Sequence, residues 1–388
     1  MNKLQSIFLT VSFLALISFF TILNIIDKDD AISNAENRVL AQMPKLSSAG
    51  ASSFVQDFET YYTDQFPYRD ELIKLNIASN LALNSYDIKG YNIVEKNNKT
   101  WILDNKPVNY SQSEIEDNAN KINAYSKLLN ENGKEVYYIS TPKKENILDL
   151  VPDYSNKEAR LKAKNLFESK LNQNNLNFIN LRDEFLQKFN SQTIESLYFT
   201  TDNHWNSLGA YEGFKIIMDK MNIPINPNDY VTKNISNKLL KGIYYDHLYG
   251  VVNKFDNFQY VYKKDSPSRE YYLNKGNGFE NVGSNQIIAT GRNRDVQLYR
   301  LAYTSSDMYY KVVNPTPIIN KKVLIYRDSY HGATSWLLED IFREVEVVDP
   351  RYISKYGANS LDIAKNTDGD IVLFMFNDHD FTKLIPNL

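Results

Sequence analysis

The chain has 388 residues, enough for one large domain or two domains of ordinary size. Its 44 basic and 47 acidic side chains give a net charge of −3. No block rich in lysine and arginine occurs, which argues against a nucleic-acid-binding protein. Cysteine is absent, and this excludes thiol catalysis, thiolate metal sites and disulfide bonds. The 28 tyrosines fit either aromatic contacts with a carbohydrate or a simple compositional bias.

The first predicted element is a membrane helix. Residues 7–26 contain no charged side chain, and about 20 apolar residues are needed to cross a bilayer core. Lys3 precedes this stretch and favours an orientation with the rest of the chain outside the cytoplasm. The stretch is long for a signal peptide, and no small-residue cleavage site follows it directly. We therefore expect residues 1–27 to be an uncleaved anchor, with a cleaved signal peptide as the alternative.

The segment after the anchor is predicted to be a linker over residues 28–53, because it is polar and ends in a run of small residues. Residues 54–388 are then expected to form the catalytic domain. Its first part, residues 54–83, has a helical pattern that Pro67 should interrupt.

From about residue 112, predicted helices and strands alternate. The helices are expected at 113–132, where Ser113 and Glu116 fit a capping box, at 157–175, from Ser207, a plausible N-cap, to about 221, and at 335–342. The strands are expected at 135–140, 178–181, 322–326, 344–348 and 371–376. This alternation indicates an α/β fold with a doubly wound, mostly parallel sheet. Residues 224–320 break the rhythm and are predicted to be a β-rich insertion that shapes a substrate groove.

Asp202 and His204 form the first candidate catalytic pair. In extended backbone, residues two apart project to the same side, so the carboxylate can orient the imidazole as a general base. A hydrogen-bonded loop histidine explains the same pattern equally well.

Ser329 is the candidate nucleophile. It follows an apolar strand and precedes a predicted helix, so it should lie at the carboxyl edge of the sheet, where backbone N–H groups can bind an oxyanion. A helix-capping serine is the alternative interpretation.

Together, these motifs resemble the DHHW family and the periplasmic alginate O-acetyltransferases of the wider SGNH hydrolase-like group. The resemblance rests on D-x-H-W at residues 202–205 and D-S-Y at residues 328–330. Further matching patches occur at residues 36–38, 64–70, 142–144 and 349–352.

The resemblance implies a Ser329-His204-Asp202 triad on an SGNH hydrolase-like fold. Family members commonly have glycine where this chain has Arg327, a difference that concerns the oxyanion site. Residues that we consider for substrate or oxyanion binding are Arg327, Tyr330, His331 and Trp205.

The expected activity is transfer of an acetyl group, through an acyl-serine, to a hydroxyl of an exported polysaccharide. The resemblance implies a membrane-bound acyltransferase partner that supplies the acetyl groups. Two alternatives are an esterase or deacetylase with the same triad, and an inactive polysaccharide-binding scaffold of a secretion complex. No cofactor is expected. No metal is expected either. Asp378-His379-Asp380 could supply metal ligands, but one histidine and two neighbouring carboxylates make a poor site without distant partners.

Overall fold

The computed structural model describes residues 3–33, 35–36, 38–45, 51–85, 87–150, 156–287, 296–304 and 308–388. Asn37 of the first matching patch and residues 46–50 of the predicted linker lie outside this set. The chain forms two compact units. One comprises Met1–Lys89 with Tyr244–Asn253, and the other comprises Gly90–Ile243 with Lys254–Leu388.

The first unit begins with the predicted membrane helix. Its helices and strands are α1 (Lys3–Ile26), β1 (Ile32–Ser33), β2 (Arg38–Val39), α2 (Ala51–Asp64) and α3 (Arg69–Ala82). Helix α1 is long and apolar enough to cross a membrane, as expected from the sequence. The predicted break between the next two helices is also present: Tyr68 adopts a left-handed conformation with φ 56° just before α3 begins.

A partly buried ion-pair network organises the first unit. The Glu36 carboxylate accepts hydrogen bonds from Arg69 and Arg38 and from the Tyr249 hydroxyl, at 2.8–2.9 Å. Arg38 also donates two hydrogen bonds to Asp64, at 2.7 and 2.5 Å. Partial burial raises the pKa of Glu36, but these hydrogen bonds outweigh it and lower the pKa to about 2. Two of the matching sequence patches, around residues 36–38 and 64–70, therefore contribute to the structure of this unit.

The second unit is built on a central sheet. Within the described residues this sheet has eight strands, in the order β10-β9-β12-β14-β13-β15-β5-β6. They are β5 (Glu135–Thr141), β6 (Asn177–Asn180), β9 (Glu270–Asn274), β10 (Phe279–Val282), β12 (Tyr310–Val313), β13 (Ile319–Arg327), β14 (Phe342–Val348) and β15 (Ile371–Asn377). The five strands from β14 to β6 are parallel, and the other three are joined by antiparallel pairing.

Both faces of this sheet are buried. In β15, Leu373 and Met375 belong to the core on one face, and Val372, Phe374 and Phe376 belong to the core on the other. Burial on both sides explains why the strand is a continuous apolar run instead of an alternating pattern.

Helices cover both faces, as a doubly wound fold requires. The helices of this unit are α4 (Gln112–Glu131), α5 (Lys144–Ile147), α6 (Lys157–Ser169), α7 (Leu181–Lys188), α8 (Ser191–Ser196), α9 (Ser207–Lys220), α11 (Tyr299–Ala302), α12 (Ser335–Glu339), α13 (Ser360–Asn366) and α14 (Phe381–Leu384). Helix α10 (Ile243–His247) belongs mostly to the first unit. The predicted α/β class with a mostly parallel sheet is confirmed.

Two predicted helix starts were wrong by one or two residues. The capping box of α4 is formed by Ser111 and Glu114, not by Ser113 and Glu116. Helix α9 is capped by Asn206, whose side chain accepts hydrogen bonds from two N–H groups of the first turn. The neighbouring Ser207 hydroxyl accepts instead from the Val261 N–H at 2.6 Å, so tertiary contact decides between two adjacent capping residues.

Residues 224–320 contain β-structure that divides into two parts. Strands β7 (Tyr230–Lys241), β8 (Asp256–Lys263) and β11 (Val296–Leu298) form a separate sheet. Strands β9, β10 and β12 extend the central sheet. A hairpin of β3 (Tyr91–Lys96) and β4 (Lys99–Asp104) was not predicted, and its turn residues Asn97 and Asn98 both have positive φ.

The carboxyl end of β15 holds a buried acid, Asp378. Its Oδ1 accepts from the Lys143 N–H at 2.9 Å and the Asn146 amide at 2.8 Å. Burial outweighs these hydrogen bonds and raises the pKa of Asp378 from 3.8 to about 7.

This pKa predicts a pH-dependent stability. Between pH 4 and 7 the folded chain holds a proton that the unfolded chain has lost, so this carboxyl group destabilises the fold as pH rises. Relative to Asp378→Asn, the wild-type free energy of unfolding should fall by about 2 kcal/mol between pH 5 and 7. Urea denaturation in detergent measures this difference. Asp380→Asn is the control, because the pKa of Asp380 is lowered, chiefly by Lys143 and His379 acting against burial, and the slope above pH 5 should not change. A wild-type protein that gains stability over this range would contradict the assignment.

Candidate active site

Ser329 lies just beyond the carboxyl end of β13, at the start of a 3₁₀ turn over Ser329–Ala333. The residue that caps this turn is Asp328. Its Oδ1 accepts from the Tyr330 N–H at 2.8 Å, and its Oδ2 accepts from the Asn377 backbone and amide N–H groups, each at 2.7 Å. The turn therefore does not use the Ser329 hydroxyl as its cap.

The Asp202–His204 loop connects α8 to α9. Asp202 Oδ1 lies 2.5 Å from His204 Nδ1 and accepts the His204 backbone N–H at 3.1 Å. Its other oxygen, Oδ2, accepts from the Ile243 N–H at 2.8 Å. Burial raises the pKa of Asp202, but the His204 ring and these N–H groups outweigh it, so the pKa is lowered. An ionised Asp202 stabilises the His204 tautomer that carries its proton on Nδ1.

The two segments meet at His204 and Ser329. His204 Nε2 lies 2.7 Å from Ser329 Oγ. With the proton on Nδ1, Nε2 is the acceptor and the serine hydroxyl is the donor. Asp202 and His204 are buried, whereas Ser329 is half-buried. The structure thus brings the three predicted residues together, with the candidate nucleophile as the most accessible of them.

A clamp from β8 holds the chain just before Asp202. The Asp256 carboxylate accepts hydrogen bonds from the backbone N–H and the hydroxyl of both Thr200 and Thr201, at 2.6–2.8 Å. Gly242 packs against the same loop so closely that a Cβ atom would lie 2.0 Å from the Thr201 carbonyl oxygen. The absence of a side chain at residue 242 allows the next N–H, that of Ile243, to reach Asp202.

Tyr299 stacks on the imidazole of His204. The ring centroids are 3.8 Å apart and the planes are inclined by 7°. Tyr299 is buried and begins α11, within the insertion. Sequence reasoning missed Tyr299, Asp256 and Gly242, because nothing in the local sequence links them to a loop 40–100 residues away.

The four residues considered for substrate or oxyanion binding lie in the protein interior near Ser329. Arg327, Tyr330, His331 and Trp205 are all completely buried. Trp205 Nε1 donates to the Tyr330 carbonyl at 3.0 Å, and the Tyr330 hydroxyl donates to the Asn203 carbonyl. Tyr330 and Trp205 therefore fix the histidine loop to the serine turn. The Tyr330 N–H is already bound to Asp328, so it is not free for an oxyanion.

His331 is neutral in this setting. Burial and the charge of Arg327 lower its pKa far below the ordinary range. Its ring nitrogens have no hydrogen-bond partner among the residues that the structure describes. Among those residues, no group of three His, Asp or Glu side chains is placed to hold a metal ion.

Comparisons with known proteins agree with this geometry. Residues 98–275 match the family model for the SGNH hydrolase-like domain of acetyltransferase AlgX. The matched segment, less than half of the chain, includes Asp202 and His204 and ends before Ser329. No curated protein sequence matches the chain.

Solved structures of two proteins are similar to this chain in fold. Bacillus cereus PatB1 is 23% identical, with a TM-score of 0.63, and covers 75% of this chain and 97% of its own. A DHHW family protein from Eubacterium siraeum is 20% identical, with a TM-score of 0.59, and covers 78% of this chain and 96% of its own. PatB1 has also been solved with a sulfonyl adduct, at 22% identity. These likenesses support the fold, and the resemblance predicted from the sequence is confirmed.

Gly242→Ala should break the hydrogen bond from the Ile243 N–H to Asp202. The added methyl group overlaps the Thr201 carbonyl, so the Asp202 loop must shift away from Ile243. We expect the rate at which a sulfonyl fluoride modifies Ser329, read by intact mass, to fall at least tenfold. Gly369→Ala is the control, because its nearest contact is a movable side-chain oxygen at 3.1 Å. An unchanged rate in Gly242→Ala would contradict the role of this contact.

Tyr299→Leu should misplace the imidazole while Tyr299→Phe should not. An aromatic pair contributes roughly 0.5–1.5 kcal/mol, so we expect the leucine variant to react with the sulfonyl fluoride about three- to tenfold more slowly. The phenylalanine variant keeps the ring stack and should react within about twofold of wild type. Equal losses in both variants would show that the hydroxyl matters and that the stacking does not.

Proposed function

We propose that this chain is an O-acetyltransferase in which Ser329 is the nucleophile, His204 the general base and Asp202 the residue that orients it. The observation that carries the proposal is the 2.7 Å contact between His204 Nε2 and Ser329 Oγ, completed by Asp202 on Nδ1. The match to the domain of acetyltransferase AlgX supports the same reaction class.

In the first half-reaction, Ser329 Oγ bonds to the acyl carbon of the donor while His204 Nε2 takes its proton. The tetrahedral oxyanion forms near the Ser329 N–H. His204 returns the proton to the leaving group, the bond between the acyl carbon and the leaving group breaks, and an acyl-serine remains. Asp202 stabilises the imidazolium while it exists.

In the second half-reaction, a hydroxyl of the acceptor, in place of water, reacts with the acyl-serine. His204 removes its proton, the acceptor oxygen attacks the acyl carbon, and Ser329 Oγ leaves with the proton from His204. The acceptor we propose is an exported polysaccharide, in keeping with the resemblance to the alginate O-acetyltransferases.

Helix α1 is proposed to anchor the chain in the cell membrane, with the remainder on the extracytoplasmic side. A membrane-bound acyltransferase that exports acetyl groups is the proposed donor system. The anchor would hold the chain at the surface where such a partner delivers its product.

An assay with the full chain in detergent tests the activity. An activated acetyl ester and a series of oligosaccharides serve as donor and acceptors, and mass spectrometry detects acetylated sugar. We expect product with wild type and none with Ser329→Ala. Asp202→Asn should slow turnover by roughly 10²- to 10⁴-fold, because it stabilises the wrong tautomer of His204.

The control is Ser284→Ala, a surface serine outside the site. Acetate release without acetylated sugar would favour the esterase or deacetylase. Failure of every donor to acylate Ser329 would favour the inactive scaffold.

A further inference from the structure

Helix α2 has an apolar face that the fold leaves partly exposed. Five apolar or aromatic residues fall within an arc of about 120° when successive residues are placed 100° apart. They are Phe54, Val55, Phe58, Tyr61 and Tyr62. The opposite arc carries the polar residues Gln56, Asp57, Glu59, Thr60, Thr63 and Asp64.

Side-chain exposure shows that most of this apolar face is not part of the core of its unit, with Tyr61, at 8% exposed, as the exception. Val55 is 63% exposed and Phe58 is 38% exposed. Phe54 and Tyr62 are half-buried. Single exposed apolar side chains are ordinary, but a contiguous stripe along one helix marks a contact surface.

The stripe is continuous with the membrane helix. Ring centroids follow one another from Phe54 to Phe58 at 6.1 Å, to Tyr62 at 6.4 Å and to Phe66 at 5.8 Å. The Phe66 ring then stacks on Phe20 of α1 at 5.1 Å. The aromatic face of α2 and the apolar surface of α1 therefore form one surface.

Hydrogen bonds fix this arrangement where α1 ends. The Asn24 amide donates to the Gln65 carbonyl at 3.0 Å. The Gln65 side chain both accepts from the Asp30 N–H and donates to the Asp30 carbonyl, each at 2.9 Å. The end of α2 is thus held against the last turn of α1 and the residues just beyond it.

The contact with Phe20 indicates how deep Phe66 lies relative to the membrane. Phe20 lies six residues before the end of α1 at Ile26, which is roughly 9 Å along a helix. With α1 spanning the bilayer and Asp27 at its outer boundary, Phe66 lies at the level of the outer leaflet. Because α2 ends just before Phe66, the C-terminal end of α2 is held at that level, beside the lipid.

We propose that the apolar face of α2, through Phe54, Val55, Phe58 and Tyr62, lies in the membrane–water interface and is a second lipid contact beside α1. Amphipathic helices bind interfaces in this way, and aromatic side chains favour the headgroup region. The polar face of α2 is acidic, so apolar burial carries the contact and attraction to anionic lipid does not. This inference rests on the membrane anchor of the proposed function.

The absence of cysteine allows a direct test on the full chain in phosphatidylcholine nanodiscs. Single-cysteine variants Val55→Cys and Thr60→Cys carry an environment-sensitive fluorophore on opposite faces of α2, and Leu14→Cys carries it within α1. Lipids with a nitroxide close to the headgroup should quench the residue 55 label at least twofold more than the residue 60 label. Lipids with a nitroxide near the end of the acyl chain should quench the residue 14 label, because Leu14 lies roughly 18 Å from the end of α1. Phe58→Glu in the Val55→Cys background should remove that difference and leave turnover of the acetyl ester unchanged.

The outcomes separate this inference from the proposed function. Quenching at residue 14 without quenching at residue 55 overturns the α2 contact and leaves the anchor in place. A residue 55 label that is shielded from water but not quenched by lipid shows that protein, such as a second copy, covers the face, and this also overturns the proposal. No quenching at residue 14 overturns the anchor and the α2 contact together, whereas acetylation of Ser329 is read by the separate activity assay.

Discussion

The contact of 2.7 Å between His204 Nε2 and Ser329 Oγ joins segments that are 125 residues apart. Neither segment has intrinsic stability in the required geometry, since one is a loop and the other a short 3₁₀ turn. The contact therefore depends on what holds each side. The parallel sheet fixes Ser329 through β13 and through Asp328, which is bound to Asn377 at the end of β15. The insertion fixes His204 through Asp256 and Ile243.

This division gives residues 224–320 a supporting role for the histidine loop. Asp256 clamps Thr200 and Thr201, Gly242 lets the backbone approach Asp202, and Tyr299 stacks on His204. A loop held by so many directional contacts loses little further entropy in keeping the imidazole aligned. The parts of the chain that look least regular in sequence thus supply much of the support for His204.

The sequence was sufficient to predict the sheet and the three central residues, because each has a local signal. Continuous apolar runs such as residues 371–376 mark strands buried on both faces, and D-x-H and D-S place side chains relative to their own backbone. Tyr299, Asp256 and Gly242 have no such signal, since they act on Asp202 and His204 only after long loops have closed. The predicted caps of α4 and α9 were also wrong, by one or two residues. In α9, two adjacent polar residues both suit the cap, and a tertiary partner for Ser207 decides between them.

Arg327 is the position at which this chain departs from the resemblance that its motifs suggest. The side chain is completely buried, and its charge helps to keep His331 neutral. His331 lies two residues from Ser329, so a protonated ring there would be a second cation close to that hydroxyl. With His331 held neutral by burial and by Arg327, this ring adds no further positive charge beside Ser329. The buried arginine is thus accommodated next to Ser329 while the contact of His204 with Ser329 and with Asp202 is kept.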